Sequence, residues 1–91
     1  MQYCALCCMV KDEDHFIKEW IAYHALIGFE HFIIYDDVST VPVEEQLRGW
    51  IAPERVTIVR HRNHRKQGGT YNHCLREFGG RFRWIAFLDM D

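Results

Sequence analysis

Two apolar runs in this sequence end in paired acids. "HFIIYDD" puts Asp36 and Asp37 after residues 31–35, and "RWIAFLDMD" puts Asp89 and Asp91 at the end of residues 83–91. On an extended chain, residues i and i+2 face the same way, roughly 6.5 Å apart. Asp89 and Asp91 therefore present two carboxylates to one side, and these repel unless a cation or donor groups sit between them. A hard divalent ion, Mg²⁺ or Mn²⁺, accepts one or two carboxylates together with phosphate oxygens. There it acts as a Lewis acid, neutralising charge on a diphosphate leaving group. D-x-D alone is a weak motif, because acids are common where a strand emerges into solvent. The apolar "WIAFL" within the run and the second acid pair give it context. Asp36 and Asp37 suit another task, accepting hydrogen bonds from ribose hydroxyls or a base N–H. In the alternative reading "DDVST" is an ordinary strand-to-helix loop, with Asp37 or Ser39 as a cap.

A third cluster is basic. "RHRNHRKQGG" gathers Arg60, Arg62, Arg65 and Lys66 with His61 and His64, ahead of Gly68 and Gly69. Cations leading into a helix N-terminus suit phosphates, and a solvated loop explains them equally well. Cys4, Cys7, Cys8 and Cys74 with nearby histidines raise structural zinc. However, Cys4 and Cys7 fall on opposite faces of an apolar strand and no second C-x-x-C follows, so cysteines packed as small hydrophobes are the better account. His24 reads as a packing histidine, and Trp20, Trp50 and Trp84 as core or sheet-to-helix packing. Ser39 is the only serine and has no base nearby in sequence, so a serine triad is not supported.

These groups need elements to position them. Residues 3–10, "YCALCCMV", form an almost unbroken apolar run, as in a strand covered on both faces. Asp12 or Asp14 then offers an N-cap for a helix carrying Phe16, Ile17, Trp20, Ile21, His24 and Ile27 at helical spacing, with Gly28 as its stop. Residues 31–37 predict a second strand, 41–51 a short helix, 55–61 a third strand, 68–80 a helix and 82–89 a fourth strand. The first, second and fourth strands read as buried. Strands alternating with helices imply parallel pairing with right-handed crossovers, a Rossmann-like α/β open sheet with flanking helices. Ligands of such sheets collect outside the carboxyl ends of the strands. The polar groups after each strand therefore converge there: Lys11, Asp12 and Glu13, then Asp36 and Asp37, then His61 and Arg62, then Asp89 and Asp91.

Composition narrows the function. The chain has 91 residues, one small domain, with 48% hydrophobic residues and 11 Lys plus Arg against 13 Asp plus Glu, a net charge of -2. That balance argues against a nucleic-acid partner. No run has the length of a membrane span and no signal peptide is visible, and buried cysteines predict reduced thiols and a cytoplasmic setting.

"MVKDEDHFIKEWIAYHALIGFEHFIIYDDVST", "QGGTYNHCLREF" and "RWIAFLDMD" together resemble the start of GT-A glycosyltransferases, nearest to family 2-like and family 92-like enzymes. The resemblance covers nearly the whole chain in order and rests on the combination of "EWIAYHALIG", "IYDDVS" and "FLDMD". It implies a GT-A nucleotide-binding half with a nucleotide-diphosphate sugar, a UDP-sugar, as donor and a glycan or other hydroxyl acceptor. By position, Lys11 and Glu13 line the nucleotide pocket, Asp37 touches base or ribose, and Gln67 and Asn72 lie beside the donor. Asp89 lies near the ribose, and with Asp91 it marks the site of Mn²⁺ or Mg²⁺. Asp12 stands where Asn is usual, and Val38 stands where Gly is common, which puts a positive φ there in doubt. Catalytic carboxylates normally follow the D-x-D motif. The resemblance thus implies that residues 1–91 are the donor-binding part of a longer enzyme, inactive alone. Two rivals have the same architecture: a non-catalytic nucleotide or metal-binding module, and a nucleotidyltransferase. The second usually carries a Gly-rich phosphate loop after the first strand, where "VKDED" supplies acids instead.

Overall fold

A computed structural model describes residues 2–60 and 67–88. Four strands, β1 (Gln2–Val10), β2 (His31–Asp36), β3 (Val56–Arg60) and β4 (Phe82–Phe87), alternate with helices α1 (Ile17–Leu26), α2 (Val43–Leu47) and α3 (Gln67–Phe78). Short 3₁₀ turns at Pro53–Arg55 and Gly79–Arg81 lead into β3 and β4. The sheet is parallel throughout, in the order β3-β2-β1-β4. This is the open Rossmann-like α/β sheet expected from the alternation.

The pleat of β1 divides the core. Leu6, Cys8 and Val10 pack with Phe32 and Ile34 of β2 against Ile17, Trp20 and Ile21 of α1 and Val43 and Leu47 of α2. On the other face Ala5 and Cys7 pack with Ile33 and Tyr35 against Cys74 of α3. A strand covered on both sides needs apolar residues at every position, and for that reason β1 and β2 read as continuous hydrophobic runs.

The helices start and stop for identifiable reasons. Neither Asp12 nor Asp14 caps α1. The N-cap position is Phe16, without a side-chain cap, and the Glu13 carbonyl instead accepts the N–H groups of Phe16 and Ile17 at 3.0 Å. At the other end Gly28 takes φ 120°, its N–H bonds the Ala25 carbonyl, and the Phe29 N–H bonds the His24 carbonyl. That paired closure is the Schellman arrangement, which glycine adopts without a Cβ penalty. The ring of His24 packs 4.3 Å from that of Trp20 and its Nδ1 lies 2.8 Å from the Trp20 carbonyl oxygen, a packing role as expected. The second helix is shorter than the 41–51 segment suggests. Arg48 turns extended and Gly49 adopts φ 76°, ending α2 at Leu47.

The fourth strand departs from the buried reading. Among the described residues β4 pairs only with β1, at the edge of this four-stranded sheet, and Arg83 and Trp84 are exposed. Trp50 is exposed too, with the Lys18 ammonium 5.8 Å from its ring centroid. Of the three tryptophans only Trp20 lies in the core. Among the described residues no helix is long and apolar enough to cross a membrane.

One buried histidine makes the fold sensitive to acid. His31 is 2% exposed, its Nε2 is 2.8 Å from Thr57 Oγ1, and its ring lies 5.2 Å from that of Phe82. Burial holds its pKa below the usual value, and the charges of Arg81 and Arg55 add to that, against a smaller opposing pull from the Glu54 backbone. The unfolded chain therefore binds this proton first. Stability is complete above about pH 6.5 and declines as pH falls from there toward the lower folded value. The urea midpoint should drop between pH 7.5 and 5, and part of that slope should vanish in His31→Gln. An identical pH slope in the variant would assign the effect elsewhere.

Candidate functional site

The carboxyl edge of β1, β2 and β3 is tied together by side chains. In register, Val10 of β1 faces Asp36 of β2, which faces Arg60 of β3. Beyond β2 the Asp37 N–H still donates to the Val10 carbonyl at 2.8 Å, so pairing continues one residue past the strand.

Asp36 is the hub of this edge. It is 1% exposed, on the same face as Phe32 and Ile34, where the alternation of β2 sends every second side chain inward. Its Oδ1 accepts the Ser39 N–H at 2.9 Å, and its Oδ2 accepts the Val43 N–H at 3.0 Å and the Arg60 guanidinium at 2.9 Å. Burial alone would push this carboxyl up. The donors of Val43 and Ser39 and the charge of Arg60 outweigh it and hold the pKa below the usual carboxylate range. Arg60 also donates to the Ser39 carbonyl. Asp36, rather than Asp37 or Ser39, thus supplies the acceptor for the first N–H of α2, and its oxygens are engaged inside the protein.

The β1 and β2 loops interlock in a second layer. Asp12 has φ 54° and Val38 has φ 52°, both in the left-handed region. The Asp12 N–H donates to Ser39 Oγ at 2.9 Å, and Asp12 Oδ1 accepts the Thr40 N–H at 2.7 Å. That Thr40 bond is the main reason Asp12 stays ionised to lower pH than usual. Lys11 Nζ reaches the Asp37 carbonyl at 3.3 Å. A positive φ is thus present at Val38 although it carries a β-branched side chain, and Asp12, the residue in place of Asn, is bonded into the loop.

The structure therefore gathers Lys11, Glu13, Asp36 and Asp37 on one edge, with Lys11 exposed and Glu13 and Asp37 half-buried. Gln67 opens α3, the helix that follows β3, while Asn72 lies further along α3 and is exposed. Asp89 and Asp91, with His61, Arg62, His64, Arg65 and Lys66, lie outside the described residues. β4 runs beside β1 up to the Leu88 N–H, which donates to the Cys7 carbonyl at 3.2 Å. Among the described residues no group of three His, Cys, Asp or Glu side chains could hold a metal ion. A concavity of about 520 Å³ lies elsewhere, between α2 and the start of β3, lined by Leu47, Trp50, Ile51, Pro53 and Val56. Sequence reasoning missed the structural use of Arg60 and Ser39. The signal was available as D-x-x-S after a buried strand, with an arginine closing the neighbouring strand.

Residues 3–91 match the sequence profile of glycosyltransferase family 92. The chain is 31% identical to a glycosyltransferase family 92 protein of Ricinus communis over 94% of its length, which is 16% of that protein. A family 92 protein of Oryza sativa subsp. japonica is 30% identical over the same share, 15% of its own length. The galactan beta-1,4-galactosyltransferase GALS2 of Arabidopsis thaliana is 35% identical over 82% of the chain and 16% of its own length. The chain thus spans about one sixth of these relatives. No solved structure matches it significantly.

Two substitutions test the loop network. Asp36→Ala strands the Arg60 charge and two buried N–H groups, and should cost about 3 kcal/mol in urea denaturation. Val38→Gly relieves a left-handed β-branched residue and should raise stability by about 1 kcal/mol, after allowing for the freer unfolded chain. A lower midpoint for Val38→Gly would show that its side-chain packing outweighs the backbone strain.

Proposed function

Because the chain belongs to glycosyltransferase family 92, we propose that it forms the donor-binding part of an enzyme of the GT-A type. Such an enzyme moves a sugar from a nucleotide-diphosphate carrier to an acceptor hydroxyl. One observation carries the location of the site. β1, β2 and β3 step outward in one direction, and the chain then crosses back through α3, on the opposite face, to lay β4 on the other side of β1. The strand order reverses at β1, and open α/β sheets bind ligands outside the carboxyl ends at that reversal.

In this reading Asp36 does not touch the donor; it keeps the β2 loop rigid so that Asp37 is presented at a fixed height. Asp37 and the half-buried Glu13 accept hydrogen bonds from the base or ribose. The exposed Lys11 adds positive charge for the phosphates, offset locally by ionised Asp12. Gln67 and Asn72 bring polar groups from α3. Asp89 and Asp91 hold Mn²⁺ or Mg²⁺, a donor set of hard oxygens that suits either ion. When bound, the ion supplies charge neutralisation for the departing nucleoside diphosphate. The name of the Arabidopsis relatives makes galactose as the sugar and a galactan as the acceptor the first pair to test, and we take UDP as the carrier.

Calorimetric titration of UDP into the protein carrying this segment, with and without Mn²⁺, tests the reading. Mn²⁺ should raise UDP affinity at least about tenfold in the wild type and leave Asp91→Ala unchanged. Asp37→Ala should weaken UDP binding with and without the ion. Equal UDP affinities in all four wild-type and Asp91→Ala conditions remove the metal site, and no UDP binding at all removes the donor role.

A further inference from the structure

Tyr35 directly precedes the acid pair and is 4% exposed, packed in the core under α3 with Ile33 and Cys74. Phenylalanine would fill that space equally well. The tyrosine hydroxyl, however, has a partner on α3, the Nδ1 of His73 at 2.7 Å. The two rings meet edge to face with 5.6 Å between centroids. Burial pushes the tyrosine pKa up, so the group stays a neutral hydroxyl through the neutral pH range. A hydroxyl and an imidazole nitrogen can bond in either direction, and the ring tautomer sets which gives the proton. Asp37 lies two residues beyond Tyr35, on a chain still paired to β1 through the Asp37 N–H. The two-residue repeat therefore carries Asp37 to the α3 side of the sheet, while Asp36 stays on the side of α1 and α2.

The N-terminal half of α3 comes down over the same edge. A crossover helix returns antiparallel to its strands, so its start lies above their carboxyl ends. Tyr71 packs 4.4 Å from Phe87, the last residue of β4, and His73 meets Tyr35, the last but one of β2. That half begins Gln67-Gly68-Gly69, and two glycines in a first turn give little intrinsic helix stability. Apolar contacts let a helix slide slightly over a sheet, whereas a directional hydrogen bond resists the slide. We propose that Tyr35 and His73 are positioning residues for a nucleoside diphosphate, a role that rests on the donor reading above: their hydrogen bond fixes the spacing between Asp37 beyond β2 and Asn72 on α3, the two sides between which the nucleoside is held. Asp37 is thus braced from both faces, by Asp36 with Val43 and Arg60 on one and by Tyr35 with His73 on the other. Tyr35 and His73 act through these neighbours and make no contact with the donor themselves.

Calorimetric titration of UDP with Mn²⁺ into the protein carrying this segment tests the link, with circular dichroism and a urea midpoint recorded for every variant. Tyr35→Phe keeps the ring and should weaken UDP binding about tenfold. His73→Leu should do the same, and the double variant should bind no more than about twofold worse than either single one, as expected of one shared bond. Asparagine branches at the same carbon and sets an amide atom where Nδ1 stands. His73→Asn should therefore return affinity to within about threefold of wild type. A purely structural bond predicts lower urea midpoints with unchanged UDP affinity in the folded variants, and that result overturns the proposal. Additive losses in the double variant, or a His73→Asn protein as weak as His73→Leu, overturn it too. If Tyr35→Phe does not fold, His73→Leu and His73→Asn, at a half-buried position, decide the matter alone. UDP binding that is lost in Asp37→Ala but unchanged in Tyr35→Phe removes the positioning role and leaves the donor reading standing. A wild-type protein that binds no UDP removes both.

Discussion

The carboxyl edge of the sheet depends on one desolvated carboxylate. Asp36 lies at the end of a strand buried on both faces, and a negative charge there is costly unless it is fully compensated. Three elements supply the compensation: Ser39 from the β2 loop, Val43 from the first turn of α2 and Arg60 from the end of β3. The helix is only five residues long and could not persist by intrinsic propensity. Its N-terminus is organised by that carboxylate, and its Val43 and Leu47 are held in the core beneath. From this anchor the order passes outward. Arg60 fixes the Ser39 carbonyl, Ser39 fixes Asp12, and Asp12 fixes Thr40.

The acid pair after β2 therefore divides its labour. Asp36 points inward because its position matches that of Phe32 and Ile34, and Asp37, one residue on, remains half-exposed at the edge. Adjacent residues on a strand face opposite sides, so a D-D pair at a strand end supplies one structural and one presentable carboxylate. The two left-handed residues, Asp12 and Val38, turn the β1 and β2 loops toward each other. Strain of this kind persists only where surrounding bonds over-determine it, and the Asp12–Ser39–Thr40 contacts do so here.

Much of this was legible before any coordinates. The unbroken apolar runs gave β1 and β2 within a residue or two, the helical spacing and Gly28 gave α1, and the alternation gave the parallel pairing. What was not legible depended on neighbours far away in sequence. "FRWIAF" has the composition of a buried strand, yet Trp84 is exposed, and among the described residues β4 pairs with β1 alone. The partners of Asp36 are not readable on local grounds, because one of them, Arg60, lies 24 residues later. The helix expected over 41–51 ends early because Gly49 takes a positive φ, which residue type permits but does not require. Asp12 and Asp14 look like caps, and a backbone carbonyl took that role instead. That Cys7 and Cys74 share one core depends on both the pleat of β1 and the placement of α3, so no spacing rule reveals it.

The position of β1 has a consequence for how the chain assembles during synthesis. Of the four described strands β1 is made before the others, yet its second flank is covered by β4, whose register begins at Gln2 opposite Phe82. Until β4 leaves the ribosome, β1 has an open row of amide groups on one side, next to a half-built apolar face. Parallel strands cannot be zipped by a hairpin, so this closure waits on a contact between residues far apart in the chain. The nascent segment is therefore most vulnerable to mispairing in the interval between finishing β2 and emergence of β4, when a chaperone would find both an unpaired strand and uncovered hydrophobic surface.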